Sequence, residues 1–214
     1  MQSNVEPLVI SEAATTARLA AVPSTAVAVT AAAVTAVTVT NRPAGPPLAA
    51  DPNAPDDLAA FKHAFRRHAA GVAAISTLAP DGSPVGFTAT SLASLSAVPP
   101  LATFNMAKSA SSWTAIAAAE RVVIHMLGAQ NRAIAEKLAG PHSQRFVGDH
   151  WEPGPYGLPV LTGVTSWMIG RIVERVSVHN NAVVVVQIEG GGMGTDDEAL
   201  LYHERTYRIP GAAV

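Results

Sequence analysis

From about residue 56 onward, apolar residues recur with two rhythms. Leu58, Phe61, Phe65 and Ala69 stand at helical spacing, with Asp56 or Asp57 where an N-cap belongs, so a helix is predicted that ends at Gly71. VAAIST (72–77) reads as a strand. APDGSP (79–84), centred on Asp81-Gly82, reads as a hairpin turn. VGFTATSLASLSA (85–97) is a second strand region, bent or bulged by its small residues, and Pro99-Pro100 closes it. LATFNM (101–106) is a third strand, and Ser111 or Ser112 then caps a short helix, WTAIAAAE. VVIHML (122–127) is a strand, and NRAIAEKLAG is a helix closed by Gly140. Residues 141–159 form a loop long enough to suggest a function. VTSWMIGRIVERVSV (164–178), AVVVVQIEG (182–190, buried on both faces) and ALLYHERTYRI (199–209) complete the strands. At least six strands with a few short helices predict a mainly β fold, a barrel or sandwich with helices at its periphery.

The first 55 residues behave differently. AAVPSTAVAVTAAAVTAVTVT (20–40) is long enough to raise a membrane span, but its threonines and Pro23 dilute it and it holds no leucine or aromatic residue. Glu6 and Glu12 precede Arg18, so no basic region leads into the apolar run as a signal peptide requires. Residues 41–57 are proline-rich and read as a linker. The expected organisation is a low-complexity, disordered extension over 1–55, one domain over 56–210, and a tail over 211–214. A net charge of −2, with 14% charged residues, gives no electrostatic case for nucleic acid or an anionic membrane. Cysteine is absent, which removes disulfides and thiolate chemistry and agrees with a cytoplasmic protein.

The usual catalytic signatures are missing. Gly190-Gly191-Gly192-Met193-Gly194 is not followed by a helical pattern, so it reads as a turn between strands rather than a dinucleotide fingerprint. The histidines at 63, 68, 125, 142, 150, 179 and 203 show no metal-ligand spacing, and His125, inside a strand, reads as structural. Asp196 and Asp197 belong to a solvated turn. No catalytic acid, base or metal ligand is therefore assigned. Chemistry carried by an organic cofactor asks less of the protein: chiefly a shaped cradle.

One stretch fits that demand. GFTATSLASLSAVPPLATFNMAKSASSW (86–113) is apolar enough for a core yet rich in small hydroxyls, and each buried hydroxyl needs a partner. Small hydroxyls on a bent strand would let a flat, polar-edged ring approach closely. Ser109, Ser111 and Ser112 at a helix start, beside Lys108, would suit a phosphate.

The chain from about 58 to 209 resembles the flavin reductase-like family. FKHAFRRHAAGVAAIST, DGSPVGFTATSLASLSAVPPLATFN, KSASSW, Arg145-Phe146-Val147-Gly148, Gly157-Leu158-Pro159-Val160-Leu161 and LLYHERTY follow one another in the family's order. The resemblance implies an FMN-binding split β-barrel of Greek-key type and a homodimer. It implies hydride transfer from NADH or NADPH to FMN or FAD, with diffusible reduced flavin passed to a partner monooxygenase. Alternatives are a flavoprotein whose tightly bound FMN reduces another substrate, and a flavin-binding module without turnover. The matching positions place Thr88, Ala89, Thr90 and Ser91 at the flavin ring edge, and Ser94, Leu95 and Ser96 along the ribityl chain. Asn105, Lys108, Ser109 and Ser112 fall at the phosphate. Phe146 would cover the flavin or stack on nicotinamide, Arg145 would meet phosphate or a surface carboxylate, and Trp113 would pack the core or touch the cofactor. Many relatives carry Gly-Asp-His before the buried strand. Here His179-Asn180-Asn181 stands there, so His179 and Asn181 are the nicotinamide-side candidates, and Asn181 cannot carry charge near neutral pH.

Overall fold

The computed structural model describes residues 57–212. The extension expected over 1–55, Asp56 as an N-cap and the end of the tail lie outside the described residues. Helix α1 (Asp57–Arg67) stops short of Gly71, because Ala70 and Gly71 instead form strand β1, which pairs with Tyr202 and Leu201. Its Leu58, Phe61 and Phe65 remain more than half exposed. Among the described residues no helix is long and apolar enough to cross a membrane.

Seven strands build the main sheet: β2 (Ala73–Leu78), β3 (Pro84–Ala89), β4 (Ala93–Ala97), β5 (Pro100–Ala107), β6 (Arg121–Met126) and, after a two-strand flap, β9 (Ser166–Val178) and β10 (Asn181–Met193). The flap is β7 (Trp151–Pro153) paired with β8 (Pro159–Leu161), so the expected loop over 141–159 carries strand structure of its own. Every pairing in the sheet is antiparallel, in the order β3-β2-β6-β9-β10-β5-β4. The two edge strands, β3 and β4, are consecutive in the chain and joined only by Thr90, Ser91 and Leu92. A three-residue link cannot span an open seven-stranded sheet, so the sheet curls and brings the linked ends of β3 and β4 near each other without pairing them. The result is a split β-barrel with its seam between β3 and β4.

Four expectations are corrected. The region 85–97 is two strands, with a register shift between Ser94 and Ser96. The segment 199–209 is a hairpin, β11 (Leu201–His203) and β12 (Thr206–Arg208), turning through Glu204 and Arg205 at positive φ. Gly190–Gly192 form no turn: they lie inside β10, opposite Trp167–Ile169. A Cβ at Gly191 would sit 2.3 Å from the Trp167 carbonyl oxygen, and one at Gly192 2.9 Å from the Trp167 indole nitrogen. Glycine here permits a close strand approach. In the same strand Ala182, Val184 and Val186 are buried while Val183 and Val185 are half-buried, so one face, not both, is fully covered.

The barrel interior holds Ile75, Phe104, Ile116, Ile124, Val184 and Val186. A second core forms around Ala74, Leu127, Ala135, Leu138, Leu161 and Leu200, so β2 and the helix α3 (Arg132–Ala139) share it. His125 is fully buried: its Nδ1 lies 3.2 Å from the Ala74 carbonyl oxygen, and its Nε2 accepts the Leu161 N–H at 3.0 Å. The imidazole thus ties the flap to the barrel.

Helix α2 (Trp113–Ala118) is short and lacks a side-chain N-cap bond. Its C-terminal end is held by Arg175, which donates to the Ile116 carbonyl at 3.1 Å and to that of Ala119. A cation there satisfies orphan carbonyls and the helix dipole. Arg175→Met is expected to lower stability by about 1–2 kcal/mol in urea titration. Arg171→Met, which breaks an exposed pair with Glu189, is expected to stay within about 0.5 kcal/mol.

Candidate functional site

A cleft of about 520 Å³ opens at the barrel seam. Its walls are the end of β3 with the link to β4 (Phe87–Ser91), the end of β5 (Asn105–Ala107), the approach to α2 (Ala110–Ser112), the end of α3 (Leu138, Ala139) and Arg145. That volume falls in the range of small-molecule cofactor sites.

Three of the small hydroxyls, those of Thr88, Ser91 and Ser112, bond to the protein's own backbone. Thr88 Oγ1 donates to the Ala135 carbonyl at 2.7 Å and docks α3 on β3. Ser91 Oγ accepts the Asn105 N–H at 2.9 Å and donates to the Asn105 carbonyl at 3.1 Å, so one side chain stitches the seam to β5. Ser112 is buried and caps nothing; its Oγ donates to the Gly86 carbonyl at 3.3 Å and accepts from Arg145 Nη1 at 3.0 Å. Strand β3 pairs on one side only, with β2. Alternate backbone groups on its other edge therefore have no strand partner, and Gly86 O is taken by Ser112 and Arg145. Unpaired groups along such an edge suit a polar-edged ring.

The structure brings together only part of the expected set. Thr88, Ala89, Thr90, Ser91, Asn105 and Ser112 all line the cleft. Ser94 and Ser96 line a separate, mostly apolar cavity with Leu92, Leu101 and Met168. Leu95 is 57% exposed. Lys108 turns away, its Nζ donating to the His179 carbonyl at 3.2 Å, and Ser109 is exposed in the following turn. Phe146 lies behind β3 in the second core, edge-on to Trp151, and Trp151 Nε1 donates to its carbonyl at 2.9 Å. His179, at positive φ, and Asn181 flank the β9–β10 turn, where Asn181 pairs with Ala107. Trp113 packs against the interior core.

Arg145 is the charged member. Its Nε donates to the Gly140 carbonyl at 3.0 Å, and its Nη1 to Gly86 O at 2.9 Å and to Ser112. Burial pushes its pKa down from the ordinary arginine value. Among the described residues no carboxylate pairs with it, which removes the surface-carboxylate alternative. The cleft walls hold no other lysine or arginine and no aspartate or glutamate. The same described residues hold no cluster of metal ligands. Sequence reasoning missed the apolar walls: Phe87, Met106, Ala107 and Ala110, which read only as strand or turn residues, and Leu138 and Ala139, whose only signal was the tight end of α3 before Gly140.

A family model described as the flavin reductase like domain matches residues 65–211, and the chain belongs to that family. It is 39% identical over 175 residues to an NADH:FMN oxidoreductase of Rhodococcus qingshengii, covering 78% of this chain and 91% of that one. The crystal structure of a flavin reductase domain protein from Arthrobacter sp. FB24 superposes with a TM-score of 0.70 at 52% identity, covering 73% of this chain and 98% of the other. The reductase component of a flavin-dependent trigonelline monooxygenase from Acinetobacter baylyi is 30% identical over 129 residues. That match spans 60% of this chain and 42% of the relative.

Proposed function

We propose that the protein is an NAD(P)H:flavin oxidoreductase that binds FMN or FAD in the seam cleft and delivers reduced flavin to a flavin-dependent monooxygenase. The observation that carries this is the cleft itself: a free strand edge, apolar walls and one cation without a carboxylate, in a chain of the flavin reductase family. These residues fit the group. Phe87, Met106 and Leu138 offer apolar surface to a ring and exclude water. The backbone from Thr88 to Ser91 offers hydrogen bonds to its polar edge, and the Ser91–Asn105 stitch holds that edge in place. When bound, the flavin supplies the ring that accepts a hydride from nicotinamide. The chain contributes orientation and dryness rather than proton transfer, since no carboxylate or histidine lines the cleft. His179 and Asn181 are kept as the nicotinamide side, on the turn that abuts the end of β5. A homodimer is part of the proposal, supported by the exposed apolar side chains of α1 and by Val176 and Val178 at the end of β9.

The test is absorbance of NADH and of NADPH in the presence of purified protein, with and without FMN or FAD. Oxidation is expected to depend on added flavin and to saturate with it. Flavin that stays bound through gel filtration without any NAD(P)H oxidation would instead make the protein a flavin-binding module.

A further inference from the structure

We propose that the groove between α1 and the β11–β12 hairpin binds a second ligand, a flat aromatic ring carrying a carboxylate or a phosphate. This groove shares no wall residue with the seam cleft. It encloses about 600 Å³, room for a small organic molecule. Its apolar surface is aromatic. Phe61 and Phe65 stand one helical turn apart with ring centroids 4.7 Å from each other, and Tyr202 lines the hairpin side. Both phenylalanines are more than half exposed, so the pair offers its surface to the groove rather than to a core. Lys62 and Arg66 of the same helix and Arg205 of the hairpin turn line the groove with them. Among the described residues none of these three cations pairs with a carboxylate. The one carboxylate on the wall, Glu204, lies 3.9 Å from Arg67, which is outside the lining. Aromatic faces beside unmatched cations suit a ring that stacks and an attached anion that neutralises them.

The hairpin turn points the same way. Glu204 and Arg205 fill the two positions between His203 and Thr206, at φ 49° and 63°. Asn-Gly ordinarily makes such a turn, because the left-handed region costs those residues little. A long charged side chain is kept at both positions against that preference, and both residues line the groove. The Glu204 N–H donates to the Arg66 carbonyl at 3.1 Å, which fixes hairpin and helix to each other. The groove is thus shaped before a ligand arrives, and little freedom is lost on binding. A second copy packed over α1 in the homodimer would bring the same cations again and not the missing anion. The ligand's charge is called for with or without it.

Isothermal titration calorimetry of the unaltered protein, with and without excess FMN, tests it with three probes: benzoate, adenosine 5′-monophosphate and benzyl alcohol. At least one of the two anions is expected to bind with a dissociation constant below about 1 mM, and the neutral alcohol about tenfold more weakly. Binding of benzoate alone identifies an aromatic acid as the ligand, and binding of the monophosphate alone a nucleotide. Excess FMN should change neither affinity by more than about twofold. Arg205→Gly removes a cation and eases the turn, so it should melt no lower than the unaltered protein yet bind the anion about fivefold more weakly. Phe65→Ala, at an exposed position, should weaken binding by a similar factor. No binding of either anion up to about 10 mM overturns the proposal, as does equal binding of the alcohol. Competition by FMN would put the anion in the seam cleft and overturn it too. So would unchanged affinity in both variants, or a Phe65→Ala protein that loses its dimer on gel filtration while the unaltered one binds no anion. If the anion binds and FMN does not, the flavin reading falls and this site stands.

Discussion

Between pH 7 and pH 4 the folded protein is expected to lose about 3 kcal/mol of stability through His125 alone. The imidazole is fully buried between β2, β6 and the flap. Its Nδ1–H serves the Ala74 carbonyl, and its Nε2 must stay unprotonated to accept the Leu161 N–H. Adding a proton would place a charge in an apolar layer and turn two donors against each other. Burial therefore holds the pKa at about 4, below the ordinary 6.5, against a smaller opposing effect of the Ala74 hydrogen bond. The unfolded chain takes up its proton near pH 6.5 and the folded chain only near pH 4. Within that window the unfolded state binds more protons, so stability is fully present above 6.5 and falls as the pH drops. Urea unfolding at steps from pH 7 to pH 4, for the unaltered protein and for His125→Gln, measures it. Glutamine does not titrate, so His125→Gln should start less stable and show a curve flatter by about 3 kcal/mol across the window. Parallel curves would mean that the imidazole is not the source. Because the flap follows directly on the segment bearing Arg145, flavin affinity should fall together with stability.

How far the site was legible depends on how local its contacts are. Thr88 to Ser91, Asn105 and Ser112 reach the cleft because the ends of β3 and β5 and one turn place them there, and strand ends show in the apolar rhythm. Lys108 could not be placed that way: its partner carbonyl, His179, is 71 residues further on. The same holds for Phe146, which packs against a glycine on β3, and for Arg145, whose fork closes on Gly86, 59 residues earlier. The glycine run at 190–192 was misread because glycine signals both turns and close approach, and only the Trp167 backbone and indole opposite decide between them. The hairpin at 199–209 was hidden because Glu204 and Arg205, rather than glycine or asparagine, take the left-handed turn positions.

Gly86→Ala is expected to cost about 2–3 kcal/mol, a fall of roughly 5–10 °C in melting temperature, and to weaken flavin binding as well. A Cβ at this position would stand 2.7 Å from the Ile75 carbonyl oxygen and 2.9 Å from Phe146 Cζ. The ring can tilt, but the carbonyl belongs to β2, which is paired on both sides and fully buried at Ile75, so it cannot yield. Strand β3 must then move outward at the point where Gly86 O receives Ser112 and Arg145. The strain therefore falls on the cleft wall and on the cation beneath it, which is why affinity should drop with stability. Two comparisons separate this from a general glycine effect. Gly82→Ala, at φ 82° with open space around it, should lose only about 1 kcal/mol of backbone strain and leave flavin binding unchanged. Gly86→Ala combined with Phe146→Leu should recover the part due to the ring and not the part due to the Ile75 carbonyl. A Gly86→Ala protein that melts within about 2 °C of the unaltered one would mean that β3 shifts freely at the seam. The cleft would then be shaped by its ligand rather than prepared for it.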